Sequence, residues 1–363
     1  MPEQLLSLRN VDPQGDGGLR DAMHRDFGPF SQGTFVDGSG AAVGEPIDVP
    51  HFDAVHLEHP DDDGAMAARQ VVVPPVVVAD PHAAATSLAI ATPSGAVHQL
   101  NLADLPSHPA VLPPPVRDKL FGSAGARLVF PVIAERFESE DQFLALVEGL
   151  RAWIVSKPPF NQDGVGDQLA LRALFWPSHP DVGLFGTGDS QCRDRLFFGD
   201  RVVAKRLLDP FIGAAPASLI LINSTVRGGA GGSPGYSAWA SIAEAPFEHW
   251  QAVGLHEIGH ALGLGDEYLD AQRQNENPAT LEPNISAAPR ADQSPWRARI
   301  NVDGTLAPSH PTGAPEVPPG AIGTFQGARY RTDRYRATAH CLMRETTSDF
   351  CPICQDHIRA VLG

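Results

Sequence analysis

Cysteine is scarce in this chain. There are four in 363 residues, Cys192, Cys341, Cys351 and Cys354, too few to staple a disulfide scaffold. Long apolar runs are missing. The longest, residues 71–78, is broken by Pro74 and Pro75 and falls far short of the ~18 residues of a membrane-spanning helix. The first six residues carry neither a basic n-region nor an apolar h-region, so no secretory signal is visible. Positive charge is also short. Lys and Arg total 27 against 43 Asp and Glu, a formal net charge of −16. That balance argues against a nucleic-acid protein, which needs a basic face for phosphates, and against a polybasic binder of membrane surfaces. Residues 227–232 are glycine-rich, but no Gly-Lys-Ser/Thr follows, which excludes a phosphate loop.

What is present suffices for a core. Hydrophobic residues make up 42% of the chain and charged residues 19%, a balance that excludes wholesale disorder. Residues 1–105 read as short strands at 51–58, 70–78, 87–91 and 95–102 between Gly, Pro and Asp turns, the pattern of a small all-β sandwich. Asp61, Asp62 and Asp63 before Gly64 form a solvated turn, because the spaced ligands of a calcium loop are missing. Residues 106–118 read as a proline-rich linker. Beyond it, residues 119–363 alternate strands and helices. Strands are expected at 127–137, 169–176 and 218–223, and helices from the Ser139–Gln142 capping box to about Val155 and over 201–208. The fold class is α/β (α+β), a mixed sheet covered by helices behind a small β domain. The stretch 269–339, rich in proline, reads as a long loop anchored by Trp296.

The chemistry concentrates in His256-Glu257-Ile258-Gly259-His260. Histidines at i and i+4 project from one helix face one turn apart, the reach needed to grip one zinc ion. Glu257 stands beside the first ligand, where a carboxylate serves as general base for a zinc-activated water. Gly263 suits the left-handed residue that ends a helix. Asp266, six residues after His260, is the expected third ligand, with Glu267 as its rival. Met343 is one of only four methionines and is the candidate floor beneath the metal.

The pattern resembles the metzincin zinc peptidases, with Asp in the last ligand place and Cys341-Leu342-Met343-Arg344 as the Met-turn. Asp266-Glu267-Tyr268, the glycine-rich 227–232, the segments 323–330 and 335–336, and Phe350-Cys351-Pro352-Ile353-Cys354 are similar to the M64, IgA-peptidase-like family. The resemblance spans about residues 180–363. It implies a metzincin-like zincin catalytic domain, a secreted or periplasmic setting, and an endopeptidase acting on polypeptide substrates. His256, His260 and Asp266 would hold Zn2+, and Glu257 would act as base. It does not transfer immunoglobulin A as substrate.

Other readings accompany this one. Tyr268, Tyr330 and Tyr335 are candidate donors to a tetrahedral oxyanion, Tyr335 the preferred catalytic one. The glycine-rich loop leads to an expected edge strand near residues 236–241, onto which an extended substrate could add. The C-terminal cysteines suit one disulfide among the three, with Cys192 joining the remaining one. A redox pair, or a second zinc site using Cys341 with His340 or His357, are the alternatives. Asn223 and Asn284 match glycosylation sequons by pattern. From other functional classes, a zinc hydrolase of a non-peptide amide such as a cell-wall linkage, or a non-catalytic binding module, would fit the same residues.

Overall fold

The computed structural model describes residues 4–7, 30–50, 53–60, 66–73, 76–79, 84–91, 97–104, 107–109, 112–178, 184–185, 201–213, 215, 217–225, 229–230, 237–243, 250–269, 280–301, 305–306 and 320–363. The acidic turn at 61–64 and Cys192 lie outside them. The chain divides into two compact units. One joins Met1–Val55, Gln70–Pro114 and Gly199–Gly213, and the other His56–Arg69, Pro115–Phe198 and Ala214–Gly363. Four helices are described: α1 (Glu140–Ile154), α2 (Arg201–Ile212), α3 (Trp250–Ala261) and α4 (Pro352–Leu362).

The N-terminal strands are β1 (Gln4–Ser7), β2 (Phe30–Asp37), β3 (Ile47–Pro50), β4 (Asp53–Pro60), β5 (Met66–Val73), β6 (Val76–Ala79), β7 (Ala85–Ala91), β8 (Val97–Asn101) and β9 (Ser107–Pro109). They form sheets in the orders β6-β1-β9 and β3-β2-β7-β8, with β4 and β5 a separate pair. In the four-stranded sheet Phe35, Leu88 and Ile90 are buried. The expected strand at 70–78 splits at its two prolines into β5 and β6. Within the stretch read as linker, Ser107–Pro109 is strand and pairs antiparallel with β1.

The second unit is built on a six-stranded sheet. Its strands are β10 (Arg117–Phe121), β11 (Leu128–Glu135), β12 (Leu169–Phe175), β13 (Leu219–Ile222), β14 (Gly229–Ala230) and β15 (Ala238–Ser241), in the order β10-β12-β11-β13-β15-β14. The four inner strands are parallel, and β10 and β14 run antiparallel at the edges. This is the mixed sheet that the strand–helix alternation predicts. Every residue of β13 is buried, as its unbroken apolar run requires for a central parallel strand. The expected edge strand at 236–241 is corrected: β15 is covered by β14, so the glycine-rich segment itself supplies the outermost strand.

Helix α1 starts where the Ser139 side chain accepts a hydrogen bond from the Gln142 amide at 3.2 Å, satisfying one of the orphan donors of a helix start. Its buried residues Phe143, Val147, Leu150 and Ile154 recur every three or four positions, so they line one face. The same core takes in Ile258 of α3, Met343 and Ile358 of α4. The stretch 269–339, expected as loop, holds a further sheet of β16 (Thr305–Leu306), β17 (Thr324–Ala328) and β18 (Arg331–Arg336). Trp296 does anchor it, its indole donating to the Gly323 carbonyl at 2.7 Å.

Two substitutions separate capping from packing in α1. Leu150→Ala should cost ~2–5 kcal/mol of unfolding free energy in a urea titration, and Ser139→Ala about 1 kcal/mol. Equal costs would mean that the apolar face is not what holds the helix.

Candidate metal centre

Helix α3 presents His256 and His260 one turn apart, ring centroids 4.7 Å from each other. Each ring is fixed from behind. His256 Nδ1 donates to the Leu342 carbonyl at 3.0 Å, and His260 Nδ1 donates to the Leu264 carbonyl at 2.9 Å. A carbonyl can only accept, so in the neutral ring the proton sits on Nδ1 and the lone pair on Nε2. The two Nε2 atoms face each other at 3.1 Å.

The chain turns at Gly263, whose φ of 87° suits glycine. The Leu264 amide bonds back to the Gly259 carbonyl, and the Gly263 amide to that of His260, the paired bonds of a Schellman ending. This turn brings Asp266 back to the histidines. Its Oδ1 lies 3.4 Å from His256 Nε2 and 3.2 Å from His260 Nε2. The three donor atoms thus form a triangle with sides of 3.1, 3.2 and 3.4 Å. A tetrahedral zinc with its usual bonds of 2.0–2.1 Å spaces its ligand atoms about 3.3 Å apart. Asp266 Oδ1 is buried and accepts no hydrogen bond among the described residues. A buried oxygen left so is costly, and a shared cation would satisfy it together with both ring nitrogens. Burial works to raise the Asp266 carboxyl, but the two histidines outweigh it and hold the group well below the usual carboxylate range.

Residues distant in sequence fix Asp266. The Tyr330 hydroxyl donates to Oδ2, the Arg329 amide donates to the Asp266 carbonyl at 2.8 Å, and the Arg329 guanidinium stands 3.7 Å from Oδ2. Arg329 and Tyr330 form the two-residue turn between β17 and β18, with φ of 47° and 69°. Both central residues are left-handed, a geometry that hairpins usually give to Asn and Gly. Bulky residues held there carry strain of ~1–3 kcal/mol each, which accumulates where geometry matters for function.

Asn284 clamps the other side. Its carboxamide exchanges two 2.8 Å bonds with the Gly265 main chain, and its Nδ2 also donates to Glu267 Oε1 at 2.9 Å. Asn284 is fully buried, so in the folded protein it cannot take the glycan its sequon suggests. Met343 is also fully buried, and a Cβ placed on Gly259 would lie 2.6 Å from its sulfur. The thioether therefore fills the space under the helical turn that joins the two histidines. Glu257 is buried on α3 beside His256. Tyr335 lies in β18, its main chain paired both ways with Ser286. Of the three tyrosines considered, Tyr330 is the one that bonds to Asp266, and Tyr268 packs edge-on against it at 5.5 Å.

Asp266 and Glu267 diverge. Asp266 faces the histidines, whereas Glu267 faces Cys341, Cys351 and Cys354. The expected disulfide is corrected, since these three cysteines are free thiols. Burial, aided by the charge of Cys351, pushes the Glu267 carboxyl up to about 8. No protein-family model matches the chain, and no curated protein matches it.

The Tyr330 bond gives a test of the centre. Tyr330→Phe should weaken metal binding ~10–100-fold, the usual cost of losing an outer partner of a ligand, measured by competition with a chelator. Unchanged affinity would mean that Asp266 is not the third ligand.

Proposed function

We propose that the chain is a zinc-dependent endopeptidase of metzincin type, similar to the M64 family, with a small β-sandwich domain ahead of the catalytic one. The observation that carries this reading is the triangle of His256 Nε2, His260 Nε2 and Asp266 Oδ1 at the spacing of a tetrahedral site. When bound, zinc would supply a Lewis acid that polarises a carbonyl and lowers the pKa of a water. The chain's own residues supply the rest. Glu257, next to a ligand on the same helix, accepts the proton of the attacking water and delivers it to the leaving nitrogen. His256 and Asp266 are buried, but the His260 side chain is 21% exposed, so substrate approaches from its side.

An extended polypeptide is the substrate form that suits the sheet. Helix α3 packs on β15, and β14 beyond it is a two-residue antiparallel edge strand that, among the described residues, pairs with half of its neighbour's length. Backbone hydrogen bonds to that edge would hold a peptide extended. The net charge of −16 favours basic or neutral polypeptides by steering. Tyr335 is the proposed oxyanion donor. Its hydroxyl makes no hydrogen bond among the described residues, whereas that of Tyr330 is committed to Asp266.

The test compares turnover of a casein-type protein and of a peptidoglycan fragment by the zinc-loaded chain. Cleavage of the protein is expected. Turnover of the fragment alone would favour a hydrolase of non-peptide amides, and turnover of neither a binding module. Glu257→Gln should keep its zinc and lose ~10²–10⁴-fold in activity; retained activity would remove Glu257 as the base. Tyr335→Phe should lower kcat by ~10²–10³-fold with KM little changed, the signature of a lost oxyanion donor. A change confined to KM would assign it to substrate binding instead.

A further inference from the structure

A second set of metal-binding side chains begins one residue after the first ends. Glu267 Oε1 lies 3.2 Å from Cys354 Sγ and 3.9 Å from Cys351 Sγ, and Cys341 Sγ lies 3.7 Å from Cys354 Sγ. All four residues are buried, and one donor atom from each falls within 4.8 Å of the others. We propose that Cys341, Cys351, Cys354 and Glu267 hold a second zinc ion, structural in role and separate from the histidine site.

The spacing suits a tetrahedral thiolate site. Zinc–sulfur bonds of ~2.3 Å place two sulfurs about 3.8 Å apart, close to the 3.7 Å between Cys341 and Cys354. A disulfide requires ~2.05 Å. It would also strand the third thiol and the carboxylate in the core. Three sulfurs and one oxygen favour zinc over the hard cations calcium and magnesium. The oxygen is prepared as a ligand, because Asn284 donates to Glu267 Oε1 at 2.9 Å and so fixes its direction. Glu267 Oε2 is buried with no hydrogen-bond partner among the described residues. Neither His340 nor His357 joins the cluster. His340 is exposed and paired with Glu345, and His357 donates to the Leu262 carbonyl at 2.9 Å.

Local structure places the sulfurs. Cys351 caps α4 and Pro352 opens it, so Cys351 and Cys354 are three residues apart on one face of its first turn. The Cys351 amide donates to Cys341 Sγ at 3.3 Å. On loading, the thiols and the Glu267 carboxyl give up their protons to solvent, and each sulfur gives a lone pair to the metal, with no change of oxidation state. Three thiolates and a carboxylate around a divalent ion leave a double negative charge. Arg336 and Arg344 are both buried, and Arg336 lies within electrostatic reach of Glu267 and Cys341.

The consequence for the first site is mechanical. Glu267 is bonded in sequence to Asp266, and Cys341 precedes Leu342, whose carbonyl holds His256. A second zinc would tie α4, the segment carrying Met343 and the third ligand of the first site into one unit. Unlike the first, this site is closed, with no exposed ligand.

Metal content of the full chain, purified with zinc supplied, tests the proposal. The wild type should carry about two zinc ions and a His256→Ala/His260→Ala variant about one. That variant, reloaded with cobalt, should show sulfur-to-cobalt charge-transfer absorption in the near ultraviolet. Adding Cys354→Ser should abolish the remaining metal. If that triple variant does not fold, the cobalt spectrum of the histidine variant still decides. A metal-free histidine variant, a cobalt spectrum without the sulfur band, or a disulfide among the three cysteines in non-reducing peptide mapping would each overturn it. One zinc in the wild type that persists in the histidine variant would support the cysteine site and count against the histidine site alone.

Discussion

Three electron-rich atoms are pressed together in the interior of the second unit. Two imidazole nitrogens and a carboxylate oxygen sit 3.1–3.4 Å apart, with both imidazole protons committed elsewhere to backbone carbonyls. Lone pairs at that range repel, and burial removes the water that would otherwise screen them. A positive charge shared among the three atoms would relieve that repulsion. Much of the surrounding structure serves to hold this one arrangement in place.

The holding groups come from far apart in the chain. The Schellman ending at Gly263 aims one carbonyl at His260. The segment around Met343 supplies the carbonyl on His256 and the thioether beneath Gly259. The strained turn at Arg329 and Tyr330 grips the carboxylate on the side away from the histidines. Each contact is ordinary by itself. Together they leave His256, His260 and Asp266 little rotamer freedom, which is the pre-organisation a metal centre needs.

The sequence made the two histidines, the glutamate between them and the turn after them legible, because helical period and left-handed glycine are local rules. Asp266 followed from spacing, and its divergence from Glu267 agrees with that reading. The strands of the central sheet were visible as apolar runs. What stayed hidden depends on distance along the chain. Nothing local marks the Leu342 carbonyl as the acceptor for a ring N–H or Asn284 as a clamp, and the Asn284 sequon points to the surface instead. The Arg329–Tyr330 hairpin carries none of the Asn or Gly that announces such a turn, so the stretch around it read as loop. The edge of the sheet was misjudged because two glycine-rich residues make a strand only by pairing with one already formed. The three cysteines read as a disulfide because pair counting ignores a carboxylate lying 84 residues before Cys351 and 87 before Cys354.

The bond from His256 to the Leu342 carbonyl spans 86 positions. During synthesis the helix bearing both histidines leaves the ribosome long before the segment whose carbonyl orients the His256 ring. A chain interrupted in that interval would own His256, His260 and Asp266, with His260 already held by the Leu264 carbonyl, yet His256 would lack its carbonyl and Asp266 the Tyr330 hydroxyl. The set of contacts around His256 and Asp266 is therefore complete only when the C-terminal segment has docked. For a protein proposed to cut polypeptides, that order would keep the nascent chain harmless to itself and to its neighbours.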